Sequence, residues 1–172
     1  MDLPGEPSGF SQNYPPPPIP SGPGALAEWW RRAVAILLDA VIVGVPVGII
    51  GTVIGLAHVV HETTAQGQSV RYQAGAGLYL FSFVVSLAYF GIMEGGARGA
   101  SVGKMALHIR VLDATTGGTI GVGRAVLRRF VYLVLFYALF LPGLINVLSP
   151  LWDARRQAWH DKAANTLVVT SG

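Results

Sequence analysis

The sequence predicts an all-α polytopic membrane protein: two transmembrane helices plus a third apolar segment broken at Pro142-Gly143, which is a re-entrant hairpin or a third span. Three observations predict this. Only 12% of the 172 residues are charged, about half the share usual in a soluble domain. The charges vanish from three segments and crowd between them. The basic residues flank those segments unequally, as topology-setting charges do. The mean hydropathy of +0.50 agrees. A pI near 9.5 would also suit a nucleic-acid binder, but the basic residues sit beside apolar spans, so no nucleic-acid partner is expected.

Residues 1–24, with "YPPPPIPSGPG", are too rich in Pro and Gly to bury a core and are expected to be disordered or partly polyproline II. They serve as a spacer or as a docking site for a protein that reads proline-rich ligands. The start has no basic n-region and no early apolar stretch, so no cleaved leader is expected. The remainder, 25–169, forms the membrane domain.

Span one is expected at 29–58. The 25 residues from Ala33 to Ala57 carry a single charge, Asp39. Gly44 and Gly48, then Gly51 and Gly55, repeat the G-x-x-x-G spacing that lets a second helix approach. Pro46 is expected to kink this helix. Residues 58–74 read as a short polar loop. His58, His61 and Glu62 there are too few to argue for a metal, and no metal or cofactor is assigned.

Span two is expected at 75–94. Tyr79, Ser82, Ser86 and Tyr89 share one helix face, and Glu94 closes the span. Residues 95–129 form a basic loop. Within it "LHIRVLD" alternates, "TTGG" turns and "TIGVG" is a weak second strand, predicting a small cytoplasmic β-hairpin. "GASVGK" is not a phosphate loop: Arg98 stands where its first glycine belongs, and Met105 replaces the magnesium-binding hydroxyl. The third apolar segment covers 130–152, and 153–169 reads as a polar cytoplasmic tail.

All basic residues except Arg71 fall at the start of span one, in the 95–129 loop or in the tail. The positive-inside rule therefore puts the N-terminus and that loop in the cytoplasm. A third crossing would export Arg155, Arg156 and Lys162, so charge favours the re-entrant form. The expected location is the bacterial cell membrane, multi-pass.

Several blocks in order, "EWWRRAVAILLDAVIV", "FGIMEGGARGASVGKMALHIRVLD", "GRAVLRR" and "RRQAWHDKAANTLVV", resemble the RDD family of small bacterial membrane proteins. The resemblance covers Leu26 to Val169. The proline-rich start resembles the tails of actinobacterial members described as proline-rich antigens. The family's arginine maps to Arg32 or Arg31, and its first aspartate to Asp39. Its second aspartate maps to Asp161 or Asp113. Gly103, Lys104, Arg110 and His160 lie in the same blocks. The resemblance implies an unassigned molecular function, with transport of an unidentified ligand the suggested role.

A mid-membrane aspartate is costly and is usually paired or functional. Arg32 lies seven residues before Asp39, about 10 Å along a helix, too far for direct contact. Asp39 therefore needs a partner elsewhere, the Ser or Tyr hydroxyls of span two among them. Two readings follow. In the first, the protein transports a small solute or cation, with Asp39 as the working carboxylate and Arg32, Ser82, Ser86, Tyr89 and Glu94 nearby. That reading requires a homo-oligomer, because two spans enclose little. In the second, it is a non-catalytic adaptor in the bilayer that recruits a partner through its proline-rich tail. Four His, no Cys and no recognisable nucleophile motif argue against an enzyme, and no catalytic residue is assigned.

Overall fold

The computed structural model describes residues 24–64 and 67–171. The expected disordered tail lies outside these residues except for Gly24. Six α-helices and four strands follow one another among the described residues: α1 Trp29–Val53, β1 Ala57–Thr64, β2 Gly67–Ala74, α2 Ala76–Gly95, α3 Val102–Ala106, β3 Ile109–Asp113, α4 Gly121–Tyr137, α5 Phe140–Leu148, α6 Trp159–Ala163 and β4 Thr166–Thr170. The protein is mostly helical. Two helices, α1 and α2, are long and apolar enough to cross a membrane.

α1 runs through Pro46 as one element and buries Arg32, Ala35, Asp39, Val47 and Gly51, which fall on one face. Its other sides leave Leu37, Val41, Val45, Ile49 and Val53 exposed. α2 buries Leu78, Ser86, Phe90, Gly91 and Glu94. Glycine sets how closely α2 and α4 pack: a Cβ on Gly95 would lie 2.4 Å from the Val122 Cα, and one on Gly91 would lie 2.6 Å from a Val126 methyl. α1 meets α2 at the far end, where Gly51 fits against Leu78 beside Val47 and Ala57.

Four expectations are corrected. Residues 58–74 are not a loop but an antiparallel hairpin, in register from Ala57↔Ala74 to Thr64↔Gly67. His58 and His61 therefore point to opposite faces of a strand instead of sharing a helix turn. β3 does not pair with "TIGVG", whose glycines open α4. It pairs with β4, Ile109↔Thr170 to Asp113↔Thr166, and Leu26 bridges to Val169 on the other side. The 153–169 stretch is not a loose tail: it supplies α6 and β4, and Val168 is fully buried.

The third apolar segment breaks at Ala138–Leu139, not at Pro142-Gly143. Pro142 sits in the first turn of α5, where a missing N–H costs nothing. Gly143 is where the two helices cross, since a Cβ there would lie 2.6 Å from the Phe136 Cα. The segment doubles back: Val147, near the end of α5, accepts a 2.9 Å bond from the Trp29 indole at the start of α1.

Candidate functional site

Asp39 is 2% exposed on α1, and both of its carboxylate oxygens are held. Oδ1 accepts from the Tyr89 hydroxyl at 2.9 Å and from the Gly103 amide at 2.8 Å. Oδ2 accepts from the Ser101 hydroxyl at 2.5 Å. Tyr89 in turn accepts from the Val102 amide at 3.0 Å. Gly103 has to be glycine, because a Cβ would stand 2.3 Å from the Ala35 carbonyl oxygen and 2.9 Å from the Asp39 Cγ. The first turn of α3 thus grips the carboxylate with neutral donors.

Beside it lies a buried ionic network drawn from five helices. Glu94 accepts from Lys104 and from Arg128. Arg128 also donates to Asp161 through Nε at 2.7 Å, and Asp161 takes a 3.0 Å bond from Arg32. The Ala158 amide completes Asp161's partners at 3.0 Å. Charges buried this deeply are costly unless paired and hydrogen-bonded, and here two carboxylates share three cations. Burial alone would raise Asp161, but Arg128 and Arg32 hold it well below the usual carboxylate range. Burial pushes His160 down to about 3, helped by Arg128 and Lys104 against the pull of Asp161. Its neutral ring lies 2.9 Å from the Asn146 side-chain oxygen. Burial, with Arg128, lowers Lys104 to about 8 despite Glu94, so it is charged at pH 7.

Two cavities border these groups. The smaller, about 50 Å³, lies within the network and is lined by Arg32, Arg128, His160 and Trp29. Among the described residues the Arg32 Nε has no hydrogen-bond partner. The larger, about 740 Å³, is a mainly apolar groove between α1, α2 and α4, with Gly44, Gly48, Leu133 and Tyr137 among its walls. Asp39, Phe90 and Arg129 line both cavities.

The residues singled out from the sequence fall into separate places. Asp39 and Tyr89 meet, and Arg32, Glu94, Lys104 and Asp161 join the network. Ser86 lines the groove and accepts from the Arg129 Nε at 2.8 Å. Ser82 also lines it, but its hydroxyl bonds back to the Leu78 carbonyl at 2.7 Å. Arg31 bonds the Leu107 carbonyl at 3.2 Å, and Arg110 sits on β3, both away from Asp39. Asp113 pairs with Arg124 and receives the Thr115 and Thr116 amides, so it shapes a turn. Ser101, Arg128, Arg129 and Asn146 were not singled out. Asn146 had a signal, as a lone amide in an apolar run; Arg128 and Arg129 read only as topology-setting charge.

The RDD family model matches residues 26–165. The chain belongs to the RDD family. A proline-rich antigen homolog of Mycobacterium tuberculosis (strain H37Rv) is 38% identical over 74 residues, 43% of this chain and 29% of that protein. The proline-rich antigen of Mycobacterium leprae is 31% identical over 98 residues, 53% of this chain and 36% of that protein. The chain thus matches about a third of the length of these relatives. An uncharacterized Bacillus subtilis protein, YxaI, is 29% identical over 151 residues, 83% of this chain and 96% of that protein. No solved structure matches. Of the two aspartates open as the second RDD residue, Asp161 contacts Arg32 and Asp113 does not. Family membership and the two apolar helices both point to membrane association.

Proposed function

We propose that this RDD protein is a multi-pass membrane protein that carries a small solute through the groove between α1, α2 and α4. α1 and α2 cross the bilayer, the α4–α5 pair enters and returns, and the network end faces the cytoplasm, where the basic residues gather. One observation carries the reading: the groove and the inner cavity meet at Asp39, Phe90 and Arg129. A wall of about 740 Å³ that is apolar except for a few convergent polar groups is the usual form of a small-ligand site. An ionisable pair at a constriction is the usual form of a pathway.

Asp39 works here as a latch. A cation bound directly to it would have to displace the Tyr89, Ser101 or Gly103 donors, so the geometry favours a solute with acceptor groups over a bare cation. Movement of α3, which Asp39 holds, would open the constriction from the cytoplasmic side. The uncovered side of α1, with Val41, Val45 and Ile49, is closed by lipid or by a second copy in a homo-oligomer. The adaptor alternative rests on residues 1–23, which lie outside the described residues.

The test is flux into proteoliposomes over a panel of sodium, potassium and small organic acids. Gly48→Leu fills the groove at a position where nothing lies within 4 Å of an added Cβ. Flux that stops in this variant, with its melting unchanged, supports the reading. Absence of flux from folded wild type across the panel, or flux indifferent to Gly48→Leu, removes it.

A further inference from the structure

Arg129 is set apart from every other cation near the network. Arg32, Lys104 and Arg128 each touch a carboxylate, whereas no carboxylate pairs with Arg129 among the described residues. Its Nε is spent on Ser86. Its guanidinium carbon stands 3.8 Å over the Phe90 ring and 4.8 Å over the Tyr132 ring. Stacking fixes the plane of the fork but supplies no acceptor for the two Nη groups. The carboxylate of Glu94 is already held by Lys104 and Arg128, and that of Asp39 by Tyr89, Ser101 and Gly103. A half-buried guanidinium that lines a mainly apolar groove without an acidic partner is a functional candidate.

We infer that the groove binds a long-chain carboxylate, with its acidic head on the Arg129 guanidinium and its apolar chain along α1. The inference rests on the reading of the groove as a ligand site and names the class of ligand. A carboxylate matches in charge, because it adds one negative charge against one unpaired positive charge. It matches in shape, because the flat fork of an arginine takes a carboxylate through two parallel bonds. The chain has its place as well. From Asp39 to Gly48 the groove follows nine residues of α1, about 14 Å at 1.5 Å per residue. Val43, Val47, Leu133 and Val134 line that length, and Gly44 and Gly48 leave room beside the backbone. Tyr72 and Tyr79 stand toward the far end, among the groove's other lining residues.

The experiment compares spin-labelled stearate with its methyl ester in phosphatidylcholine vesicles holding the full chain, at a pH where the acid is ionised. The fraction immobilised by the protein is read for each. In wild type the acid is expected to associate about tenfold or more strongly than the ester, the worth of one charge-assisted pair. Arg129→Gln should bring the acid down to the ester's level, and Arg129→Lys should keep part of the preference. Gly48→Leu should weaken both probes without touching the arginine. Equal immobilisation of acid and ester in wild type overturns the inference, and that comparison needs no variant to fold. Selective stearate binding without solute flux would leave this site standing and remove the transport reading. Flux of another solute without acid selectivity would remove this inference alone.

Discussion

The two ends of the molecule are built by opposite rules. At the network end, Asp39, Glu94 and Asp161 are each buried to 2% exposure or less, and each is held by at least two donors. Helices approach there at distances only glycine permits, at Gly95 and Gly103. Along the groove a Cβ on Gly44 or Gly48 of α1 would meet nothing within 4 Å, and Arg129 is the one charge held only by a hydroxyl and aromatic rings among the described residues. The contrast teaches where specificity and freedom lie. Directional, desolvated bonds fix one arrangement at the base, so the upper part can remain open without the helices losing their registry.

Removing the bridge at the base should have the largest effect. Arg128→Met removes the bridge between the two carboxylates and leaves Glu94 with Lys104 and Asp161 with Arg32, and losing one member of a buried ionic network costs about 3 kcal/mol or more. The expected result is a chain that fails to melt cooperatively in detergent micelles. A variant that melts within a few degrees of wild type would show that the network is not what holds the base.

The same substitution at two glycines sharpens the comparison. Gly103→Ala drives a methyl into the Ala35 carbonyl and loosens the grip on Asp39, for an expected loss of about 1–3 kcal/mol. Gly48→Ala meets open space inside a helix and should be neutral or stabilising by up to about 1 kcal/mol. Equal melting shifts for the two would erase the distinction drawn between the ends.

A graded effect, small for each step of pH, comes from His160. His160 is neutral in the folded chain down to about 3, while in the unfolded chain it titrates near its ordinary value of about 6.5. Unfolding therefore takes up a proton below pH 6.5, and stability should fall by about 1.4 kcal/mol per unit as the pH drops from there toward 4. Above pH 6.5 this group contributes no slope. Melting curves of wild type and His160→Asn between pH 4 and 7.5 check it, and an unchanged slope in the variant would assign the effect elsewhere.

Much of the frame was legible because it follows from local composition. The two long apolar runs became α1 and α2, and Asp39 stood out because it was alone. That it needed a partner other than Arg32, with the hydroxyls of span two among the candidates, followed from the distance along the helix. What stayed hidden was non-local. "LHIRVLD" shows a strand but not its partner, and the nearest weak strand lost to "TLVVT", more than fifty residues on, which carries better β-formers and buries them. Pro142-Gly143 announced a break but not its place, since proline suits the start of a helix as well as a turn. Arg128 could not be told from Arg129 in sequence, though one is the hub of the network and the other has no acidic partner. One residue of rotation on α4 separates them.

The small sheet at the base has a consequence for synthesis. The Ala25 carbonyl accepts from the Thr170 amide, and the Ala27 amide donates to the Val168 carbonyl, so opposite ends of the described chain are sewn into one layer. Arg32, beside that seam, waits for an aspartate 129 residues downstream. Both long helices leave the ribosome well before this can happen, since a domain emerges from its N-terminus onward. Asp39 and Glu94 find their partners between residues 89 and 128, but Arg32 lacks its carboxylate until Asp161 appears. A chain truncated before Ala158 would leave Arg32 without its carboxylate and Arg128 with Glu94 alone, besides losing the strand that closes the sheet.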